Sequence, residues 1–301
     1  MLKAVGRHGT RPVGGLAAFF VFKGNRLAQA GGPQTINARE AANLSFQGKI
    51  AVITGASSGI GALMAQMLAE RGAVPVLTAR SERKLGEVAA AIRGPHAVYT
   101  LDVASNGQVS ETMRKVIGQY GRIDILINNA GYGVFERFAD TSIETIADMM
   151  DINYMGTVRC TKAVLPHMLK QGSGHIVNIA SMAGKIGSAK STGYSATKHA
   201  VLGFTNSLRQ ELAGTGVHLS AVNPGPIDTP FFERADPSGR YVNNVRWFML
   251  KPEKVAAKTL EAIERRIPEV NLPFMAAAGV KLYQLAPRLF DRIAMKVLNQ
   301  K

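Results

Sequence analysis

The stretch KIAVITGASSGIGALMAQMLAERG, residues 49–72, decides how this chain folds. Its opening six residues form a short apolar run bounded by glycine, the pattern of a strand buried on both faces. From Ile60 the apolar positions recur at helical spacing until Gly72 closes the segment. Strand, glycine turn and helix in that order begin a βαβ unit. Within the turn, Thr54-Gly55-x-x-x-Gly59-x-Gly61 offers a tight bend at Gly55, close backbone approach at Gly59 and close helix packing at Gly61. The helix start behind it aims backbone N–H groups at whatever anion lies there, which reads as a dinucleotide pyrophosphate loop. The spacing is one residue longer than the usual dinucleotide fingerprint.

Working outward, further strand-like runs follow at βαβ intervals: VPVLTA (Val74 to Ala79), AVYTLDV (Ala97 to Val103), DILINNAG (Asp124 to Gly131), HIVNIA (His175 to Ala180), VHLSAVNPG (Val217 to Gly225) and a short EVNLP. Helical segments separate them, including Ile152 to Gly172, the stretch beginning near Tyr194, and Pro252 to Arg265. The expectation is an α/β fold, a doubly wound parallel sheet of Rossmann-like type, as a single domain with helices on both faces. In such a sheet ligands bind at the carboxyl ends of the strands. Asp102 stands at one such end, as an acceptor for an adenine amine. Asn129 to Gly131 stand at another, although Asn128 or Asn129 serves equally well as a strand tie. Arg80 ends the second strand about 20 residues past the glycine loop, where a carboxylate would hold a ribose hydroxyl. A cation there, with Arg83 or Lys84, favours a 2′-phosphate, and so NADP(H) over NAD(H).

Catalytic chemistry concentrates between Ser181 and Lys198. Tyr194 and Lys198 are four apart, so on a helix they share one face and the ammonium is expected to make the phenol more acidic. That makes Tyr194 a general acid or base, with the Ser181 hydroxyl, at the end of the HIVNIA strand, available to hold a substrate oxygen.

Composition bounds the rest. The 301 residues are 46% hydrophobic, with mean hydropathy +0.03, enough for a full globular core. The lone Cys160 excludes an internal disulfide framework, and the six scattered histidines show no metal-ligand spacing. The formal charge is +15, concentrated near the ends: residues 1–45 hold six bases and one acid, and residues 251–301 ten bases and five acids. Without interleaved aromatics this reads as a basic surface rather than a nucleic-acid binder. Residues 1–45 read as a flexible basic extension whose apolar run, Leu16 to Phe22, is too short to span a bilayer. The catalytic domain is placed at 46–272, with an irregular lid over about 228–251 carrying Phe231, Phe232, Tyr241, Trp247, Phe248 and Met249 and pointing to an apolar pocket. Residues 273–301 read as an amphipathic helical tail that docks on the domain or a sister subunit, or lies on a lipid surface. A cytoplasmic protein, at most peripheral at a membrane, is expected.

Taken jointly, TGASSGIG (Thr54 to Gly61), Asp102-Val103, NNAG (Asn128 to Gly131), Asn153, Ser181, YSATK (Tyr194 to Lys198) and NPGPIDT (Asn223 to Thr229) resemble the short-chain dehydrogenase/reductase family. The resemblance implies hydride transfer between a nicotinamide and a carbonyl or secondary alcohol, by a tetrad of Asn153, Ser181, Tyr194 and Lys198, with Asn153 holding a proton-relay water. It implies cofactor contacts at Gly55, Ser57, Ser58, Gly59, Ile60 and Gly61, then at Arg80, Asp102 and Val103, then at Asn129, Ala130 and Gly131. Tyr194 and Lys198 meet the cofactor too, and Pro224, Gly225, Ile227 and Thr229 meet its nicotinamide end. A small-molecule substrate and a homodimer or homotetramer are implied, with no nucleic acid. The alternatives are a non-catalytic NADP(H)-binding regulator and a membrane-surface protein on the same fold.

Overall fold

The computed structural model describes residues 46–274 and the single positions Gly279, Val280, Tyr283 and Leu285. The expected extension over 1–45 lies outside the described residues, as does nearly all of the expected tail over 273–301. In chain order the elements are β1 (Ile50–Thr54), α1 (Gly59–Glu70), β2 (Val74–Ala79), α2 (Glu82–Ala90), β3 (Ala97–Thr100), α3 (Asn106–Tyr120), β4 (Ile125–Asn128) and α4 (Ile143–Met150). They continue with α5 (Gly156–Gln171), β5 (Gly174–Ile179), α6 (Thr192–Glu211), β6 (Val217–Pro224), α7 (Phe231–Ala235), α8 (Arg240–Val245), α9 (Pro252–Glu264) and β7 (Glu269–Leu272).

The strands form one parallel sheet in the order β3-β2-β1-β4-β5-β6-β7. Central strands must be apolar on both sides, and β1 is buried at all five positions. Its alternate residues serve different cores: Ala51 and Ile53 pack with α1, α2 and α9 residues such as Met64, Leu85 and Leu260, while Ile50 and Val52 pack with α3, α5 and α6 residues such as Met113, Val164 and Leu208. This is the doubly wound, Rossmann-like architecture expected from the sequence. The strand order reverses between β1 and β4, so a crevice opens at their carboxyl ends.

The third strand is shorter than expected. It ends at Thr100; Leu101 N still donates to the Ala79 carbonyl of β2 (2.9 Å), but beyond Leu101 the chain bonds elsewhere: Asp102 N donates to Gln108 Oε1 (2.9 Å) and Ala104 N donates to Asp102 Oδ1 (3.0 Å). Edge position explains this, since β3 is only half-buried and has one neighbour. The lid is also more ordered than its irregular composition suggests. Leu250 N donates to the Pro226 carbonyl (2.8 Å) and Asp228 N to the Leu250 carbonyl (3.0 Å), closing its base. Inside it Asp236 Oδ2 accepts from Val242 N (3.0 Å), steadying α8.

Candidate active site

The glycine loop is held open by its own geometry. Gly55 and Gly59 have φ of +66° and +56°, a region that favours glycine. A Cβ on Gly55 would come within 2.9 Å of Ala130 Cα, and one on Gly61 would strike the Gly55 carbonyl oxygen. Thr54 Oγ1 accepts from both Asn129 N and Ala130 N (3.0 Å each), and Asn129 Nδ2 donates to the carbonyls of Thr54 (2.9 Å) and Gly55 (3.1 Å). Asn128 Nδ2 donates to Asn178 Oδ1 (2.8 Å) and Thr161 Oγ1 (3.1 Å). Both asparagines therefore tie elements together, and Asn129 lines the cleft as well. At the start of α1 Ser58 makes no side-chain cap, whereas Ser81, Ser105 and Ser142 cap α2, α3 and α4. Close backbone, uncapped N–H groups and flanking cations fit a dinucleotide pyrophosphate.

One cavity of about 700 Å³ runs from this loop to the lid. Every residue singled out from the sequence as a cofactor contact except Arg83 lines it, and so do Ser181, Tyr194 and Lys198. Asn153 sits behind its wall. It lies in a five-residue π-turn, Asp151–Met155, rather than at the regular helix start that the sequence pattern suggests. Asn153 Nδ2 donates to the Tyr132 carbonyl (2.8 Å) and Thr197 Oγ1 (3.0 Å), while Oδ1 accepts from Tyr132 N (2.9 Å). The Thr197 hydroxyl donates to the Tyr194 carbonyl (2.8 Å), so Asn153 links the Tyr132 backbone to the helix turn that carries Tyr194.

Ser181 accepts from Ala183 N (3.1 Å), reaches the Pro224 carbonyl (3.3 Å) and bonds the Tyr194 phenol. The expectation that Lys198 acidifies that phenol is corrected here. Burial pushes Tyr194 up to about 12, only partly opposed by the bond to Ser181, and burial pushes Lys198 down to about 8. The Lys198 ammonium lies 5.8 Å from the centre of the Tyr194 ring and donates to the Ile179 carbonyl (2.8 Å). Tyr194 therefore holds its proton throughout the neutral range.

Arg80 and Lys84 line the cleft at the end of β2, but Arg83 turns away to pair with Glu87. Among the lid aromatics Phe231, Phe232, Tyr241 and Phe248 line the cavity; Trp247 does not and is 86% exposed, and Met249 is also absent from the wall. Phe135, which the sequence did not single out, completes the aromatic wall: it is 5.8 Å from Tyr194 and 4.9 Å from Tyr241, centre to centre. The sequence reading also missed Tyr132, whose hydroxyl donates to Asp148, and Arg234, whose guanidinium lies 3.5 Å from the centre of the Tyr132 ring. Only the position of Tyr132 directly after NNAG hinted at either.

Comparison with known proteins follows the same lines. A short chain dehydrogenase family model matches residues 49–238. An uncharacterized oxidoreductase of Staphylococcus epidermidis is 41% identical over 188 residues, which cover 62% of this chain and 82% of that one. A dehydrogenase/reductase SDR family protein 7-like of Drosophila melanogaster is 36% identical over 261 residues, 83% of this chain and 80% of that one. Among solved structures, a short-chain dehydrogenase/reductase from Burkholderia phymatum in complex with NAD aligns with TM-score 0.76 at 30% identity, over 81% of this chain and 96% of that one. An actinorhodin polyketide ketoreductase variant with NADPH aligns with TM-score 0.68 at 32% identity, over 75% of this chain and 95% of that one.

Proposed function

The chain belongs to the short-chain dehydrogenase/reductase family and is an NAD(P)-dependent oxidoreductase; from that premise we propose that it reduces the carbonyl of an apolar substrate with NADP(H) as preferred cofactor. The observation that carries the reading is the convergence of Ser181, Tyr194 and Lys198 on the same cavity as the glycine loop. A bound reduced nicotinamide supplies the hydride that reaches the carbonyl carbon. As that carbon gains the electron pair, its oxygen takes the Tyr194 proton and a secondary alcohol results. The Ser181 hydroxyl donates a hydrogen bond to the same oxygen, and Lys198 holds the nicotinamide ribose. Asn153 keeps the Tyr132 backbone and the Tyr194 turn in register and maintains the proton supply.

Two features support the finer assignments. Arg80 and Lys84 line the adenosine end without a carboxylate partner among the described residues, which suits a 2′-phosphate. At the other end the Tyr194 ring packs at 5.7–5.8 Å from Phe231 and Phe135, so groups on the carbonyl carbon meet aromatic faces. We also assign a homodimer or homotetramer assembled through α5 and α6. Among the described residues no helix is long and apolar enough to cross a membrane. A panel of ketones and aldehydes, followed by loss of NADPH absorbance, tests the reaction: apolar and aromatic ketones should turn over, and no turnover of any member would reject the reading. Arg80→Asp tests the cofactor. The kcat/KM preference for NADPH over NADH should fall roughly 100-fold, and an unchanged ratio would remove the 2′-phosphate assignment.

A further inference from the structure

We propose that Arg234 is a lid-borne clamp for the pyrophosphate of the dinucleotide, a role that rests on the nicotinamide-cofactor reading above. Three observations lead to it. The lid begins against the glycine loop, since a Cβ on Gly59 would lie 3.6 Å from the Thr229 side chain. Five residues later Arg234 reaches across the crevice: its guanidinium lies 3.5 Å from the centre of the Tyr132 ring on the far wall, and it lines the same cavity as Ser58, Gly59 and Thr229. The crossing is fixed at its root, because Phe135 N donates to the Ala235 carbonyl at 2.8 Å, joining the far wall to α7 in the backbone.

The third observation concerns its donors. A guanidinium resting on a ring by its face keeps its five N–H groups directed outward in its own plane. Among the described residues those of Arg234 have no hydrogen-bond or carboxylate partner, whereas Arg159 pairs with Asp151, and Arg71 with Glu264. Tyr132 is itself held by its bond to Asp148, so the ring is a fixed shelf rather than a mobile side chain. A planar fork with free edges, lining the same cavity as the uncapped start of α1, matches the bidentate geometry of a phosphate. Arg80 and Lys84 serve the adenosine end, so Arg234 acts on the group that NADPH and NADH share.

Fluorescence titration of NADPH and of NADH into the wild-type protein, Arg234→Ala, Arg234→Lys and Arg240→Ala tests this. Arg240 is exposed on the same lid and does not line the cavity. Arg234→Ala should raise the Kd of both dinucleotides by about tenfold, and Arg234→Lys by less, because a point charge replaces a fork. Arg240→Ala should leave both unchanged. Unchanged binding in Arg234→Ala, an equal loss in Arg240→Ala, or a loss confined to NADPH would each overturn the assignment. So would unaltered dinucleotide binding with a raised KM for the carbonyl substrate, which would give the arginine to the substrate instead. Failure of the wild-type protein to bind either dinucleotide would reject the cofactor reading itself, and that result is distinct from all of these.

Discussion

The two edges of the sheet treat charge in opposite ways. At the amino-terminal edge Asp124, whose side chain is 6% exposed, accepts from Ile50 N (3.0 Å) and Arg122 Nε (2.9 Å), and Lys49 closes to 3.3 Å. Its own backbone N bonds the Ile50 carbonyl (2.9 Å) and its carbonyl accepts from His175 N (2.9 Å), so one residue knits β1, β4 and β5. At the carboxyl-terminal edge Arg80, Lys84 and Arg234 line the cavity without a carboxylate ion-pair partner among the described residues, and a phenol and an ammonium are buried beside each other. Charge satisfied within the chain stabilises the fold; charge and protons left unsatisfied are available to a ligand. The comparison predicts that damage at the two edges will be read by different instruments.

The largest effect is expected at the carboxyl edge. Tyr194→Phe removes the transferable proton while keeping the ring against Phe135 and Phe231, so kcat should fall by roughly 10³–10⁴ with Tm and dinucleotide Kd nearly unchanged. Retained turnover would take the proton-donor role away from this residue. The pH profile sharpens the point. Because Tyr194 stays protonated well above neutrality, any loss of reductase rate near pH 8 belongs to Lys198 surrendering its charge, and the rate should decline as pH rises through that value. A rate that falls first near pH 6 would place control in another group.

At the amino edge Asp124→Ala should do the reverse. Removing the acceptor leaves Ile50 N and the inner face of Arg122 without their partner, a loss of about 3–5 kcal/mol for a broken buried pair. Because Arg122 and Lys49 are 47% and 41% exposed, water recovers part of this, and the lower end is expected. Urea denaturation measures it directly. Below the unfolding transition kcat/KM should match the wild-type value, and a selective loss of activity without loss of stability would break the division between the edges.

How much of this was legible in sequence follows the same physics. The central strands could be read because burial on both faces forces continuous apolar runs such as IAVIT, and the glycine loop because positive φ and close packing admit few residues. β3 was overrun because an edge strand needs only half-burial, so Asp102 and Val103 continued a pattern that the bonding to β2, which stops at Leu101, did not. The tetrad residues could be named from spacing, but the protonation of Tyr194 could not. Adjacency in sequence suggested that Lys198 governs it, whereas the enclosing aromatic wall, drawn from Phe135 and Phe231, makes desolvation the larger influence. Arg234 on Tyr132 was unreadable for a plainer reason: nothing local to either residue encodes a contact between chain segments so far apart.

The smallest predicted effect returns to the amino edge, where His175, the second residue of β5, bonds the Asp124 carbonyl. Its ring is buried, and Nε2 lies 2.8 Å from Ser220 Oγ, whose own proton goes to the Ile267 carbonyl (2.6 Å). Nε2 is therefore the donor, and the neutral ring is satisfied there. Burial, with His218 and Arg266 nearby, holds its pKa down to about 3 from an ordinary value of 6.5. A depressed pKa in a base means that the unfolded chain binds the extra proton more readily, so this contribution is complete above 6.5 and is lost as pH falls toward 3. At pH 5 the loss from this one group reaches about 2 kcal/mol, since each unit below 6.5 amounts to about 1.36 kcal/mol. His175→Gln cannot titrate, so although it starts less stable at pH 7, its stability should fall less steeply between pH 7 and pH 5 than that of the wild-type protein. Parallel slopes in the two proteins would show that acid sensitivity arises in groups other than His175.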